Sequence, residues 1–412
     1  MGRTTTIIIA AAAAIVILAG VLLFMLNGNS ERDADQMNND LAGMPLPSAT
    51  GTPAAGATAT PAPGAPAGMA DLKGQPLVVV SWGGAYTKSQ VEAYHKPWEA
   101  KTGGKINSVD YSGGVAELKT QVDAGNVNWD VVDMEMADAQ RACDEGLLEK
   151  IDPAMLPPAP DGTAATDDFV PNGITPCAVP SIVFGHVIAY DTTKFGASPP
   201  RTLADFFNLK AFPGKRGLRK TSPKINLELA LRADGVPGDK VYATLSTKEG
   251  VNRAFKKLDT IKNSVVWWEA GSQPIQLLAD GEVTMTTAYN GRVFDAQVNE
   301  KKPFAIIWDG ELLELDVFGI PKGTKHLAAA QNFIAFATDT QRLADQAKWI
   351  AYGPARKSSL PLVGKSELSG VEMGPHMPNA PENSANAIQI DSQWWADHQE
   401  ELNQRWNAWL AK

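Results

Sequence analysis

Leu77-Val78-Val79-Val80-Ser81-Trp82-Gly83-Gly84-Ala85-Tyr86 is the stretch on which the fold turns. Four consecutive aliphatic residues, three of them β-branched, are what a strand buried on both faces looks like, because neither face has to meet water. The two glycines that follow permit a tight backbone turn, and a helical segment is expected over 87–102. Downstream, 105–111 reads as a strand, 114–124 as a helix and 129–134 as a strand, and a helix starting at Ala137 stops near Gly146. This βαβαβα order predicts a parallel sheet covered by helices.

A second alternating stretch follows, from about 189 to 299. Helices are expected over 202–208, 225–233, 248–262 and 274–279, with extended segments over 217–220, 265–268 and 283–288. Beyond it, 312–320 is extended, 328–337 helical, and an aromatic-rich helix covers 393–410. The expected organisation is two α/β units, the chain returning to the first. Residues 75–183 and 317–412 form one lobe and 184–316 the other, with hinges near 179–188 and 307–316.

The chain ahead of this region is of another kind. Residues 27–74 begin acidic and amide-rich and then become Pro, Ala, Gly and Thr, a composition that suits an extended tether rather than a core. Behind Arg3, the run from Ile7 to Leu26 is uncharged. Twenty residues at 1.5 Å each span the roughly 30 Å of a bilayer's hydrocarbon. The following Asn-Gly-Asn-Ser-Glu-Arg is a poor cleavage site, and no Cys follows to accept lipid. Residues 1–26 therefore read as an uncleaved signal anchor, a long cleaved signal peptide being the alternative. Either addresses the remainder to the periplasm, with Arg3 cytoplasmic; the anchor would tether it to the inner membrane.

Composition narrows the function. A net charge of −9 in 412 residues argues against nucleic acid, which needs a basic footprint, and suits a cationic solute. The five histidines show no metal-ligand spacing, and there is no G-x-S-x-G elbow, P-loop or G-x-G-x-x-G. No catalytic residue, metal or cofactor is expected. The two cysteines, Cys143 and Cys177, are not a CxxC pair; in an exported protein they read as a disulfide, with two buried free thiols as the alternative.

Eight segments in order carry a resemblance: SWGGAY (81–86), WDVVDME (129–135), CAVPSIVFGHVIAYD (177–191), FPGKRGLRK (212–220), WWEAGSQPIQLLADGEV (267–283), AYNGR (288–292), LDVFGIPKG (315–323) and YGPAR (352–356). Together they are similar to the polyamine-type (spermidine/putrescine-like) extracellular solute-binding proteins of ABC importers, over roughly residues 75–412. The resemblance implies a type II periplasmic-binding-protein fold, two lobes joined by hinge strands. It also implies a protein that binds a small molecule and delivers it to an ABC permease without catalysis. A monomer is expected.

The residues themselves suggest where such a solute would sit, because ligands of open α/β sheets lie beyond the carboxyl ends of strands. Trp82 and Tyr86, at the end of the first strand, offer aromatic faces to an ammonium or an alkyl chain; packing against the next helix is the other reading of Trp82. Glu135 ends the third strand, where it meets a substrate amine or is a solvated loop acid. Trp268 and Glu269 precede a helix whose dipole Glu269 could equally serve. By the resemblance, Tyr289 and Asn290 contact ligand and Asp316 meets an amine. Two departures bear on the ligand: Phe184 stands where relatives often have Trp, and Glu314 where the best-known polyamine binders carry an aromatic. Arg292 pairs with a protein carboxylate or holds a ligand carboxylate bidentately. The expected ligand is a polyamine such as putrescine or spermidine, its ends on Glu135, Glu269 and Asp316. The alternatives are an ω-amino acid such as 4-aminobutyrate, with its carboxylate on Arg292, or a ligand-sensing module.

Overall fold

The computed structural model describes residues 72–412. The anchor or signal (1–26) and nearly all of the tether (27–74) lie outside the described residues. Among the described residues, no helix is long and apolar enough to cross a membrane.

The opening run forms β1 (Pro76–Ser81), flanked in parallel by β2 (Lys105–Asp110) and β3 (Val131–Glu135). Leu77, Val79 and Val80 are fully buried, as a continuous aliphatic run requires. The helix after β1 starts at Gly84 rather than 87 and reaches Thr102 through one π turn, Val91–His95. Then come β4 (Ala178–Asp191), β5 (Arg216–Arg219), β6 (Val265–Trp268), β7 (Met285–Tyr289) and β8 (Phe304–Gly319), in one sheet of order β2-β1-β3-β8-β4-β7-β5-β6. Two short strands, β9 (Gly353–Pro354) and β10 (Ile388–Gln389), add to β4 and β8.

The sheet is mixed, which corrects the expectation of an all-parallel one. It is parallel at each end, where β1 meets β2 and β3 and β5 meets β6 and β7. Its middle is antiparallel, β8 against β3 and β4, and β4 against β7. The reason lies in two long strands. β4 has 14 residues and β8 has 16, and they pair from Ala178↔Gly319 to Asp191↔Phe304. The chain leaves the first half of the sheet along β4 and comes back along β8, so the two must run in opposite directions. Between His186 and Ile188 the register slips, and residues 308–311 bulge from β8.

Each half has its own core. Tyr94, Trp98, Phe318 and Phe333 belong to the first; Phe206, Leu218, Phe255 and Met285 belong to the second. The helices Leu327–Ala337 and Thr340–Ala347 return to the first core through Phe333, Ile334 and Leu343. The closing helix, Ser392–Leu410, does not follow them, although the sequence reading grouped 317–412 as one lobe. Trp395, Leu402, Trp406 and Trp409 repeat at helical spacing and bury in the second core, where Trp406 meets Trp267 at 5.6 Å and Trp409 meets Phe255 at 5.6 Å between ring centres. Cys143 and Cys177 form a disulfide with Cα atoms 5.8 Å apart, tying the end of the helix Met136–Asp144 to the residue before β4. Closing a loop of this length contributes about 3–4 kcal/mol through the unfolded chain.

Candidate functional site

A small cavity of about 20 Å³ opens where the two halves of the sheet meet, lined by Trp82, Tyr86, Glu135, Ile182, Phe184, Gly271, Tyr289, Arg292, Asp316 and Tyr352. The turn after β1 supplies Trp82 and Tyr86, the end of β3 supplies Glu135, and the crossover region of β4 and β8 supplies Ile182, Phe184 and Asp316. From the other half come Gly271 after β6, Tyr289 at the end of β7, and Arg292 one turn on. The two glycines of the first turn have φ of 71° and 61°, a backbone region that favours glycine. A Cβ on Gly84 would sit 2.8 Å from Nη1 of Arg292, and one on Gly271 would sit 3.3 Å from its Nε. The guanidinium is thus received between two residues without side chains.

Aromatic rings form the wall. Tyr86 meets Tyr352 at 5.4 Å, and Phe184 meets Tyr352 at 6.1 Å and Tyr289 at 5.8 Å, separations at which aromatic pairs attract. The Trp82 Nε1 is buried without a hydrogen-bond partner, while the Tyr86 hydroxyl stands within reach of Ser181 and Asp133. Buried polar atoms are nearly always satisfied, so an orphaned donor in the cleft points to a polar occupant.

The charges divide into two sets. Glu135 accepts from Arg219 Nη1 and Lys224 Nζ, each at 2.7 Å. Lys224 also donates to Glu314, whose other oxygen lies 2.8 Å from His186 Nε2. Burial opposes ionisation of Glu135, yet the Arg219 and Lys224 cations outweigh it and hold the carboxyl well below its ordinary range. Burial pushes His186 below its ordinary value, with Glu314 opposing. Two acids and two permanent cations thus neutralise one another. The second set has no such balance. Asp316 keeps Oδ1 buried without a partner, and its carboxyl is pushed well up by burial and then by the charges of Asp133, Glu135 and Glu314. Arg292 donates to the Trp82 carbonyl at 3.0 Å and forms no ion pair with a carboxylate among the described residues.

Of the residues singled out in the sequence, Trp82, Tyr86, Glu135, Phe184, Tyr289, Arg292 and Asp316 come together on the cavity. Three do not line it. Trp268 is buried behind Tyr289, with ring centres 6.0 Å apart. Glu269 faces solvent, 54% exposed, and pairs with the equally exposed Lys220 at 2.8 Å. Asn290 is a tie, accepting from Gly185 N at 2.9 Å and donating to the Ala351 carbonyl at 2.6 Å. Glu135, expected to receive an amine, is already saturated by protein cations. Sequence reasoning missed Ile182, Gly271 and Tyr352, and with them the cations Arg219 and Lys224. One signal was available: Lys224 opens the helix Lys224–Ala233. A cation at a helix N-terminus opposes the dipole and implies an acid nearby.

Known proteins resemble this chain in sequence and in fold. The family of bacterial extracellular solute-binding proteins matches residues 93–379. A gamma-aminobutyric acid-binding protein of Pseudomonas aeruginosa is 44% identical over 346 residues, 84% of this chain and 94% of the relative. Among solved structures, the PBP MotA of A. tumefaciens B6 in complex with glucopine is 32% identical with a TM-score of 0.74, covering 82% of this chain and all of the other. A GABA receptor, Atu4243, is 33% identical with a TM-score of 0.70, covering 82% and 98%. The spermidine/putrescine-binding PotD of Streptococcus pneumoniae shares the fold at 15% identity, with a TM-score of 0.59 over 82% and 99%.

Proposed function

The chain belongs to the bacterial extracellular solute-binding protein family, and from that premise we propose that it captures a small ω-amino acid, of which 4-aminobutyrate is the model, for an ABC permease. Its relatives are solute-binding proteins and not enzymes. The observation that carries the ligand is the pair of groups left unanswered in the cleft: one carboxyl, Asp316, and one guanidinium, Arg292, with no protein counter-ion. A zwitterion brings both missing partners at once. Its ammonium meets Asp316 and its carboxylate meets Arg292 bidentately, with Trp82 Nε1 as a further donor. The aromatic wall packs on the methylenes between. Buried charges that find partners avoid a desolvation cost of several kcal/mol each, and this is the source of both affinity and selectivity.

The relatives that bind gamma-aminobutyric acid by name support this reading over the polyamine one. So does the site itself, because a diamine would place an ammonium against Arg292, and the acid meant to receive it, Glu135, is occupied. We further propose that β4 and β8 act as hinge strands, the halves closing on the solute at their crossover and presenting the closed form to the permease.

The test is calorimetric titration with 4-aminobutyrate, putrescine and spermidine. Binding of 4-aminobutyrate at least tenfold tighter than either polyamine is expected. The reverse order would return the site to a polyamine.

A further inference from the structure

Trp82 serves the carboxylate end of the cleft twice. Its Nε1 is the orphaned donor, and its carbonyl accepts from Arg292 Nη2 at 3.0 Å. For both donors to meet one carboxylate, the indole has to be held at a fixed angle to the guanidinium. The groups that hold it stand outside the cavity lining, in the residues that follow β2.

The end of β2 grips the turn that carries Trp82. Tyr111 N donates to the Ser81 carbonyl at 2.8 Å, which extends the β1–β2 ladder by one bond. Thr87 Oγ1 accepts from Gly83 N at 2.7 Å and donates to Asp110 Oδ1 at 3.1 Å, so the backbone after Trp82 is tied to the last residue of β2. The Tyr111 ring meets the Trp82 ring with centres 4.9 Å apart and planes tilted by 43°, a separation at which aromatic pairs attract. Tyr111 is itself held twice. Trp129 stands edge-on to it at 5.8 Å, and its hydroxyl donates to the Asp133 carbonyl at 2.7 Å.

Gly113 leaves the room that the indole needs. A Cβ there would lie 2.6 Å from Cζ3 and 2.7 Å from Cη2 of Trp82, and its φ of 86° falls where glycine alone is at ease. Gly114 N donates to Asp138 Oδ2 at 3.1 Å, which pins the loop to the helix Met136–Asp144. The indole thus borders a ring and a loop that are both fixed to the first half of the molecule.

We propose that Tyr111, with the space left by Gly113, is the positioning residue for the carboxylate end of the ligand: it fixes the angle of the Trp82 indole, so that Nε1 donates to the same carboxylate that Arg292 receives. The inference rests on the carboxylate-to-Arg292 placement proposed above. Tyr111 does not touch the ligand. It acts through Trp82, as outlying side chains do when they hold a binding group in its working orientation. Selectivity for an acid over an amine at this end of the cleft is therefore set in part by a tyrosine and a glycine outside it.

The experiment is a double-mutant cycle on the full chain, read by calorimetric titration with 4-aminobutyrate and, in parallel, putrescine. The proteins are wild type, Tyr111→Leu, Trp82→Phe and the double variant. Tyr111→Leu should weaken 4-aminobutyrate by about tenfold or more, the worth of a hydrogen bond to a charged group. Putrescine has no carboxylate and should change by less than about threefold. On the Trp82→Phe background Nε1 is gone, so the same change should cost 4-aminobutyrate less than about threefold. Tyr111→Phe keeps the ring and should retain most of the wild-type affinity. If Tyr111→Leu does not fold, Gly113→Ala, which presses on the same ring from the loop, takes its place in the cycle with the same expectations. Unchanged affinity, an additive cycle, or equal losses for both ligands would overturn the proposal and leave the ligand reading standing. If wild type does not bind 4-aminobutyrate at all, the ligand reading is overturned and this inference with it.

Discussion

Glu135 and Asp316 are register partners across the β3–β8 ladder, both buried, both acids at the same cavity, yet their surroundings differ completely. Glu135 has a cation on each oxygen. Asp316 has an oxygen with no partner. The first belongs to a cluster that closes on itself through Arg219, Lys224 and Glu314; the second belongs to a pair of charges, with Arg292, that lacks its complement. Burial alone therefore does not mark a binding residue. What distinguishes the site is charge that the protein leaves unanswered, and substitution should separate the two regions by effect as well as by size.

The largest effect should come from the closed cluster and should fall on stability. Replacing Glu135 by Ala leaves Arg219 and Lys224 buried with Glu314 alone, and removing one member of a buried ion pair costs about 3–5 kcal/mol. Urea denaturation of the unliganded protein reads it. A variant of unchanged stability that no longer binds would reverse the comparison and make Glu135 the amine receptor.

In the open pair the loss should instead fall on affinity. Asp316→Asn should weaken 4-aminobutyrate by about 2–5 kcal/mol, as truncation of a desolvated charge pair does. It should leave unliganded stability the same or higher, since an unpartnered buried acid is removed. Arg292→Met should weaken 4-aminobutyrate comparably but leave putrescine unaffected or improved. If both ligands respond alike to both changes, the two charges do not hold opposite ends of one molecule.

A third buried acid sharpens the contrast because it serves neither region. Glu311, in the β8 bulge, has both oxygens without partners, and burial pushes its carboxyl from about 4.5 up to about 9. Its folded value is raised, so the stability it permits is full below about 4.5 and is lost as pH rises through 9. Glu311→Gln should therefore matter little at pH 5 and stabilise the unliganded protein increasingly towards pH 9, by about 1–3 kcal/mol for an unsatisfied buried group, read by urea denaturation at each pH. A constant difference across pH would mean that the carboxyl has a partner. The smallest effect belongs to Glu269. Its exposed pair with Lys220 is worth about 0–1 kcal/mol, so Glu269→Gln should alter neither stability nor binding by more than about 0.5 kcal/mol.

Some of this was legible in the chain. The aliphatic run 77–80, the alternation after it and the two cysteines are local signals, and each became the element or bond expected of it. Trp82, Tyr289 and Arg292 stand at or beside strand ends, where open sheets place ligands, and they converge with Tyr86 on the first helix and Asp316 inside β8. The closing helix was legible as a helix but not in its attachment, because an apolar face states that it needs a core and not which one. Glu269 and Glu135 show the limit most clearly. Both are acids beside a strand end, alike in sequence terms. One points to water and the other into a buried cluster, and no local pattern separates them.

The sequence by itself determined the elements, the order βαβ in each half, and which residue types would stand at the mouth of the sheet, since these depend on periodicity, turn chemistry and strand ends. Only the tertiary structure decided which charges cancel. Arg219 and Lys224 are 84 and 89 residues from Glu135 in the chain, and their pairing exists only because β4 carries the chain into a second half that faces the first. An electrostatic balance in a buried cleft is a property of distances across that fold, and it is this balance that leaves Asp316 and Arg292 open to a ligand.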